Sequence, residues 1–213
     1  MKKKSRYTPL IVSIFFSLFV PEISMAQYGL YYQPRLMMGA SAAKFRISLD
    51  TFENVYESRW GTSYGGFLGL RIFSANYAVV KYGNFRKNGK NGAHYETGLN
   101  LADARWDEKW YNIGLRIFPP QVNKLHSYYG FGFSFFDVTE VENLSVFKDG
   151  DSAHDGLGSG FYLEIGIDYF PLKRMGTFIE MEVASGGVRG KTGFEAMSIG
   201  GFRFAAGIIL LPF

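Results

Sequence analysis

Repeated strand ends, a one-sided enrichment in glycine, and connections that alternate short and long predict an all-β fold. The expected architecture is an eight-stranded, antiparallel, up-and-down barrel. The repeat is GLRIF, present at Gly69–Phe73 and again at Gly114–Phe118, with weaker copies GIDYFP at Gly166–Pro171 and GIILLP at Gly207–Pro212. Their first glycines are 45, 52 and 41 residues apart, too irregular for a solenoid and suited to hairpin units with variable loops.

The first 26 residues stand apart from this pattern. A basic start, MKKKSRY, leads into the apolar run PLIVSIFFSLFV, then Pro21 and Ser24-Met25-Ala26. That is the layout of a secretory signal peptide cut after Ala26, and the run is too short to span a bilayer as a helix. Residues 27–213 then form one barrel domain. The leader holds four of the 23 basic residues and one of the 19 acidic ones, so the remainder is nearly neutral, at +1. No basic patch of the kind nucleic acid requires is left. The absence of cysteine excludes disulfides and a lipidated-cysteine anchor.

Four runs show period-2 alternation, the strand signal. They are Gly61–Phe73, Trp110–Phe118, Gly160–Phe170 and Gly201–Leu211. In each, one phase is apolar (Leu68, Leu70 and Ile72; Ile113, Leu115 and Ile117; Leu163, Ile165 and Ile167) and the other is glycine plus charge. A sheet in water puts its charge outward and large apolar groups in the core. Glycine packs nothing in a strand and belongs where space is tight. The glycine-and-charge phase therefore faces the inside of a narrow closed barrel and the apolar phase faces lipid, which puts Gly166 inward and Ile167 outward. Four further strands, Arg35–Phe45, Asn76–Phe85, Ser127–Phe136 and Thr177–Ala184, fall between the first four. The connections Ser74–Asn76, Pro119–His126 and Pro171–Gly176 are short. Those at Arg46–Ser58, Arg86–Lys109, Asp137–Ser159 and Ser185–Ala196 are long and polar. Short periplasmic turns and long extracellular loops are the pattern of bacterial transmembrane barrels.

From Gln27 to Phe213 the chain resembles the small eight-stranded outer-membrane barrels of the OmpA/OmpX type, and more broadly the porin-family barrels of Gram-negative bacteria. The resemblance rests on the strand plan, the repeated strand ends and the terminal Phe213, which matches the aromatic that such proteins present to the barrel assembly machinery. It implies residence in the outer membrane as a monomer, with membrane lipid and lipopolysaccharide as surroundings and the loops free to meet an extracellular ligand.

The inward phase collects Arg35, Arg71, Lys81, Arg116 and Arg203 against Glu164, Asp168, Glu180 and Glu182. Two carboxylate pairs, Glu180/Glu182 and Glu164/Asp168, could serve acid–base catalysis. The structural reading is a network of opposite charges filling a lumen just wide enough for side chains, because an unpaired buried charge is costly. Other motifs fail on spacing. SGGVRGKT at Ser185–Thr192 lacks the first glycine of a phosphate-binding loop and its strand–loop–helix setting. KDGDSAHDG at Lys148–Gly156 lacks the glycine and glutamate of a calcium loop. His94, His126 and His154 form no convincing set with serine and a carboxylate, since His126 and Ser127 are adjacent and point to opposite faces of a strand. The aromatics Phe73, Phe118, Phe170 and Phe213 at the turn ends, and Trp60, Trp106, Trp110, Phe136 and Phe161 toward the loops, read as interfacial girdles.

The expectation is a non-enzymatic barrel without cofactor or metal, with an envelope-structural or surface-interaction role. A narrow channel for small solutes or hydrophobic molecules is the second reading, and a lipid A-modifying enzyme the third.

Overall fold

A computed structural model describes residues 34–91, 102–119, 124–143, 152–190 and 197–212. Eight strands close into one antiparallel barrel in sequence order. They are β1 (Leu36–Ile47), β2 (Trp60–Phe73), β3 (Asn76–Asn91), β4 (Ala102–Ile117), β5 (Leu125–Asn143), β6 (Ser152–Tyr169), β7 (Met175–Gly190) and β8 (Met197–Leu210). Between β1 and β2 a 3-10 turn at Asp50–Phe52 leads into the one-turn helix α1 (Glu53–Tyr56). Residues 1–26, expected to be a signal peptide, lie outside the described residues, as do Phe213 and His94.

Strand pairing fixes how side chains meet. The ladder Ala40–Gly66–Tyr82–Tyr111–Phe135–Ser159–Gly187–Ser198 runs once round the wall. Ala40 itself pairs with Ile208 on β8, so the ladder returns ten positions further along that strand. This stagger tilts the strands and makes each ladder climb from the turn end toward the loop end. With eight strands the interior is only wide enough to be filled by side chains.

The faces fall as the alternation predicts. Leu70, Phe133, Leu163, Ile165 and Ile208 are more than half exposed on the outside. In water so large an apolar surface would aggregate. In a bilayer it is the contact face, and closure leaves no strand edge with unpaired backbone groups.

Every strand but the first and second outruns its expected limits by several residues at the loop end. β4 begins at Ala102 rather than Trp110, and β5 runs to Asn143 rather than Phe136. Much of what reads as polar loop is strand, because there the faces exchange character. Arg86, Arg105, Asp107, Lys109 and Asp137 point outward, while Ala104, Trp106, Trp110, Phe136 and Val138 are buried inside. Outside the lipid the barrel behaves as a sheet in water. Trp106, Trp110 and Phe136 are therefore core residues and not members of a girdle. Trp60 and Phe161 do face outward. At the turn end Phe73 is exposed, whereas Phe118 and Phe170 pack against the interior.

Candidate functional site

The interior has three layers. At the loop end Phe45, Phe85, Trp106, Trp110, Phe136 and Val138 form an apolar layer, and Phe52 and Tyr56 descend into it from the β1–β2 connection. Phe52 stacks on Tyr56 at 4.2 Å and meets Trp106 edge-on at 5.4 Å. The Tyr56 hydroxyl donates to Glu140 on β5 at 2.6 Å. At the turn end Met37, Phe67, Tyr77, Val79, Phe178, Ile209 and Leu211 form a second apolar layer.

Between them lies a knot of six buried charges. Lys81 on β3 reaches across the lumen toward β6 and β7, and its Nζ donates to Glu164, to Glu180 at 2.6 Å and to Glu182. Arg116 on β4 donates through Nε to Glu164 at 2.8 Å and through Nη2 to Glu180 at 2.7 Å. Its guanidinium lies between the Tyr128 and Phe67 rings, 4.0 and 4.5 Å from their centroids. Arg203 on β8 donates to Glu180 at 2.8 Å and to Glu182 at 3.4 Å. Tyr128 donates its hydroxyl to Glu180 at 2.9 Å. Pairing explains the assembly: Arg116, Gly130, Glu164, Glu182 and Arg203 occupy one ladder on successive strands. Glycine supplies the room. A β-carbon on Gly130 would strike the Glu164 side chain, and one on Gly166 would strike Tyr128.

Seven of the nine charges singled out in the sequence are buried inside the barrel: Lys81, Arg116, Arg203, Glu164, Asp168, Glu180 and Glu182. Asp168 joins no ion pair, and neither of its carboxylate oxygens has a hydrogen-bond partner among the described residues. Arg35 and Arg71 depart from the expectation. Arg35 precedes β1 and is exposed, and Arg71 is half-buried beside the register shift that ends the β2–β3 ladder. The two GLRIF copies match in sequence but not in depth. Arg71, Tyr77 and Arg116 share one ladder, and the climb of that ladder leaves Arg71 nearer the rim.

Chemically the knot is a closed set of opposite charges. Glu164, Glu180 and Glu182 bring one oxygen each within 4.8 Å of one another, a spacing a metal ion could use. The cation they hold is the Lys81 ammonium. Sequence reasoning missed Phe52, Tyr56, Tyr128 and the buried Glu108, which accepts a hydrogen bond from Trp106 Nε1 at 3.3 Å. The inward alternation Trp106, Glu108, Trp110, Asn112 carried the signal for β4. His126 lies on β5, 5.3 Å from the Phe170 ring, with Ser127 on the outer face. Ser185–Gly190 is strand, as is Ser152–Gly156 with His154, while residues 191–196 and 144–151 lie outside the described residues.

A closed eight-stranded wall with an apolar exterior and a packed, charged interior defines a transmembrane β-barrel of the outer-membrane type, and the outer membrane is its place. Solved structures of such barrels share the fold. The chain is similar to Neisserial surface protein A, with 15% identity, a TM-score of 0.53, and 83% of this chain and 96% of that one covered. It is also similar to the outer membrane protein OprG from Pseudomonas aeruginosa (11%, TM-score 0.55, 84% and 96% covered). A third is Ail, the attachment invasion locus protein of Yersinia pestis, with sucrose octasulfate bound (9%, TM-score 0.51, 84% and 100% covered). No family model matches the sequence, and no curated protein matches it.

Proposed function

We propose that this protein is a non-enzymatic outer-membrane barrel that acts through its extracellular face, in an envelope-structural or surface-interaction role. The observation that supports this reading is the filled lumen. A six-charge knot sits between two apolar layers, and the loop-end layer is capped by Phe52 and Tyr56. Passage of a solute would have to separate Lys81 from three carboxylates and then displace an aromatic layer. Of the four carboxylates that could act as acid and base, Glu164, Glu180 and Glu182 are engaged by lysine and arginine side chains rather than poised against a nucleophile, and Asp168 stands outside the ion pairs. Export with loss of residues 1–26 belongs to the same reading, and protein recovered from membranes should begin at Gln27.

Conductance tests it. Refolded protein in a planar lipid bilayer is expected to give no regular single-channel steps, and well-defined steps would replace this reading with that of a narrow channel. Unchanged lipid A mass spectra in cells producing the protein are expected. A new acylation or deacylation product would establish an enzyme instead.

A further inference from the structure

Glu108 is a carboxyl buried in the apolar layer beneath the cap, outside the charge knot. It lies on the inner face of β4 between Trp106 and Trp110 and is fully buried. Its strand neighbours Asp107 and Lys109 face outward, which puts this part of β4 above the lipid. Register sets Phe85 of β3 on one side of Glu108 and Val138 of β5 on the other. Phe52 of the cap meets the rings of Trp106 and Phe85 at 5.4 and 6.3 Å, so the cap covers the rings that flank the carboxyl.

Each glutamate of the knot touches the Lys81 ammonium. Glu108 has no cation of its own among the described residues. Its Oε2 accepts the Trp106 indole N–H at 3.3 Å, and its Oε1 has no hydrogen-bond partner among those residues. The charged and titratable groups that face this layer from the other elements are bonded elsewhere. Lys87 of β3 donates to the Trp60 carbonyl at 2.7 Å, and Tyr56 of the cap donates to Glu140 of β5. Arg59 of β2 pairs with Asp50 and Glu53, and Arg203 of β8 with Glu180 and Glu182. From β1, β6 and β7 the layer receives Phe45, Ile47, Gly156, Gly158 and Val188. An unpaired carboxylate in apolar surroundings is costly, so such a group takes a proton instead. Burial pushes the Glu108 carboxyl up to about 8, against the opposing pull of the Trp106 bond.

We propose that Glu108 is a proton-binding switch for the cap. Carrying a proton, it stays sealed beneath Phe52 and Tyr56. Once it gives the proton up, it draws in water and the segment from Asp50 to Tyr56 lifts off the layer. An exposed glutamate releases its proton at about 4.3, whereas the sealed one does so at about 8. Between those values the sealed form binds more protons than the open one. Its advantage is complete below about pH 4, shrinks by up to about tenfold per pH unit as the pH rises through the window, and levels off above about pH 8. The extracellular end of the barrel is thus firm in acid and loosened by mild alkali. This goes beyond the surface role and concerns the cap alone, so its failure would leave the closed-lumen reading intact.

Infrared spectroscopy and tryptophan emission of the full barrel, refolded in phosphocholine vesicles and taken from about pH 5 to about pH 10, test this. In mild acid the wild type is expected to show a protonated-carboxyl stretch that Glu108→Gln removes. That band should disappear with a midpoint at about 8 or below, while emission shifts to the red and acrylamide quenching rises. Glu108→Gln should keep the cap seated across the whole range. Heat-modified gel migration reports whether that variant folds, and Glu108→Met, apolar and of similar length, should likewise hold the cap at every pH. Linkage is reciprocal, so Phe52→Ala, which unseats the cap, should move the loss of the band toward acid by about one pH unit or more. No Glu108 band in the wild type, a band lost without any change in emission, the wild-type emission shift persisting in the Glu108 variants, or an unmoved titration in Phe52→Ala would each overturn the proposal.

Discussion

Replacing Lys81 with methionine keeps the length of the side chain and removes the charge at the centre of the knot. In the native knot three cations, Lys81, Arg116 and Arg203, balance three glutamates, and Lys81 alone touches all three. Its side chain is 2% exposed and those of the glutamates 0 to 3%, so water cannot substitute for the lost ammonium. The variant holds one uncompensated carboxylate. Breaking a buried pair in this way costs about 3–5 kcal/mol. With a urea slope of about 2 kcal/mol per M, the unfolding midpoint should fall by about 2 M. The assay is urea titration of protein refolded into phosphocholine vesicles, followed by tryptophan fluorescence and gel migration. A second substitution, Glu182→Gln, restores the balance of charge and should recover part of the loss. A midpoint within about 0.5 M of wild type would show that the inward charges are solvated, and a lumen filled by ion pairs would be refuted.

Three other outcomes are expected from the same titration. Arg116→Ala should cost about 3–5 kcal/mol, and Arg116→Ala with Glu180→Ala should cost less than the two single changes summed, because directly bonded neighbours couple; strict additivity would show that the 2.7 Å contact carries no energy. Ile165→Arg, in the middle of the lipid face of β6, should cost about 2–4 kcal/mol, and Gly166→Ala about 1–3 kcal/mol by driving a methyl into Tyr128; a neutral Gly166→Ala would mean that Tyr128 can leave Glu180 freely. Phe52→Ala should loosen the cap by up to about 3 kcal/mol, exposing the chain between β1 and β2 to protease and red-shifting emission from Trp106; unchanged proteolysis would show that Phe52 does not hold the cap.

Strand number, phase and the identity of the charged interior were legible in the sequence because membrane barrels repeat a two-residue period with opposite chemistry on the two faces. Leu70, Ile113, Leu163 and Ile165 outside, with Arg116, Glu164 and Glu180 inside, follow from that contrast alone. Strand ends were not legible, since the contrast inverts where the wall leaves the lipid. Trp106 and Trp110 point inward there and Lys109 outward, a pattern that reads as loop when only the membrane rule is applied. Depth was hidden as well. Arg71 and Arg116 stand in identical pentapeptides, yet a ten-residue stagger, set by all eight pairings together, puts one at the rim and the other at the centre. Tyr56 could not be placed in advance, because its partner Glu140 is 84 residues away and on another wall.

The cap gives the barrel a built-in order of events. Phe52 and Tyr56 leave the ribosome after a single strand, yet the pocket that receives them is walled by Phe85, Trp106, Phe136 and Ile199, on strands made much later. The pocket for the cap is complete only once β8 has joined β1 and brought Ile199 to it. Its seating is therefore a completion signal, written in the near-ultraviolet signature of Trp106 against Phe52. A stopped-flow trace that resolved strand insertion from that late aromatic contact would separate an inserted wall from a finished barrel.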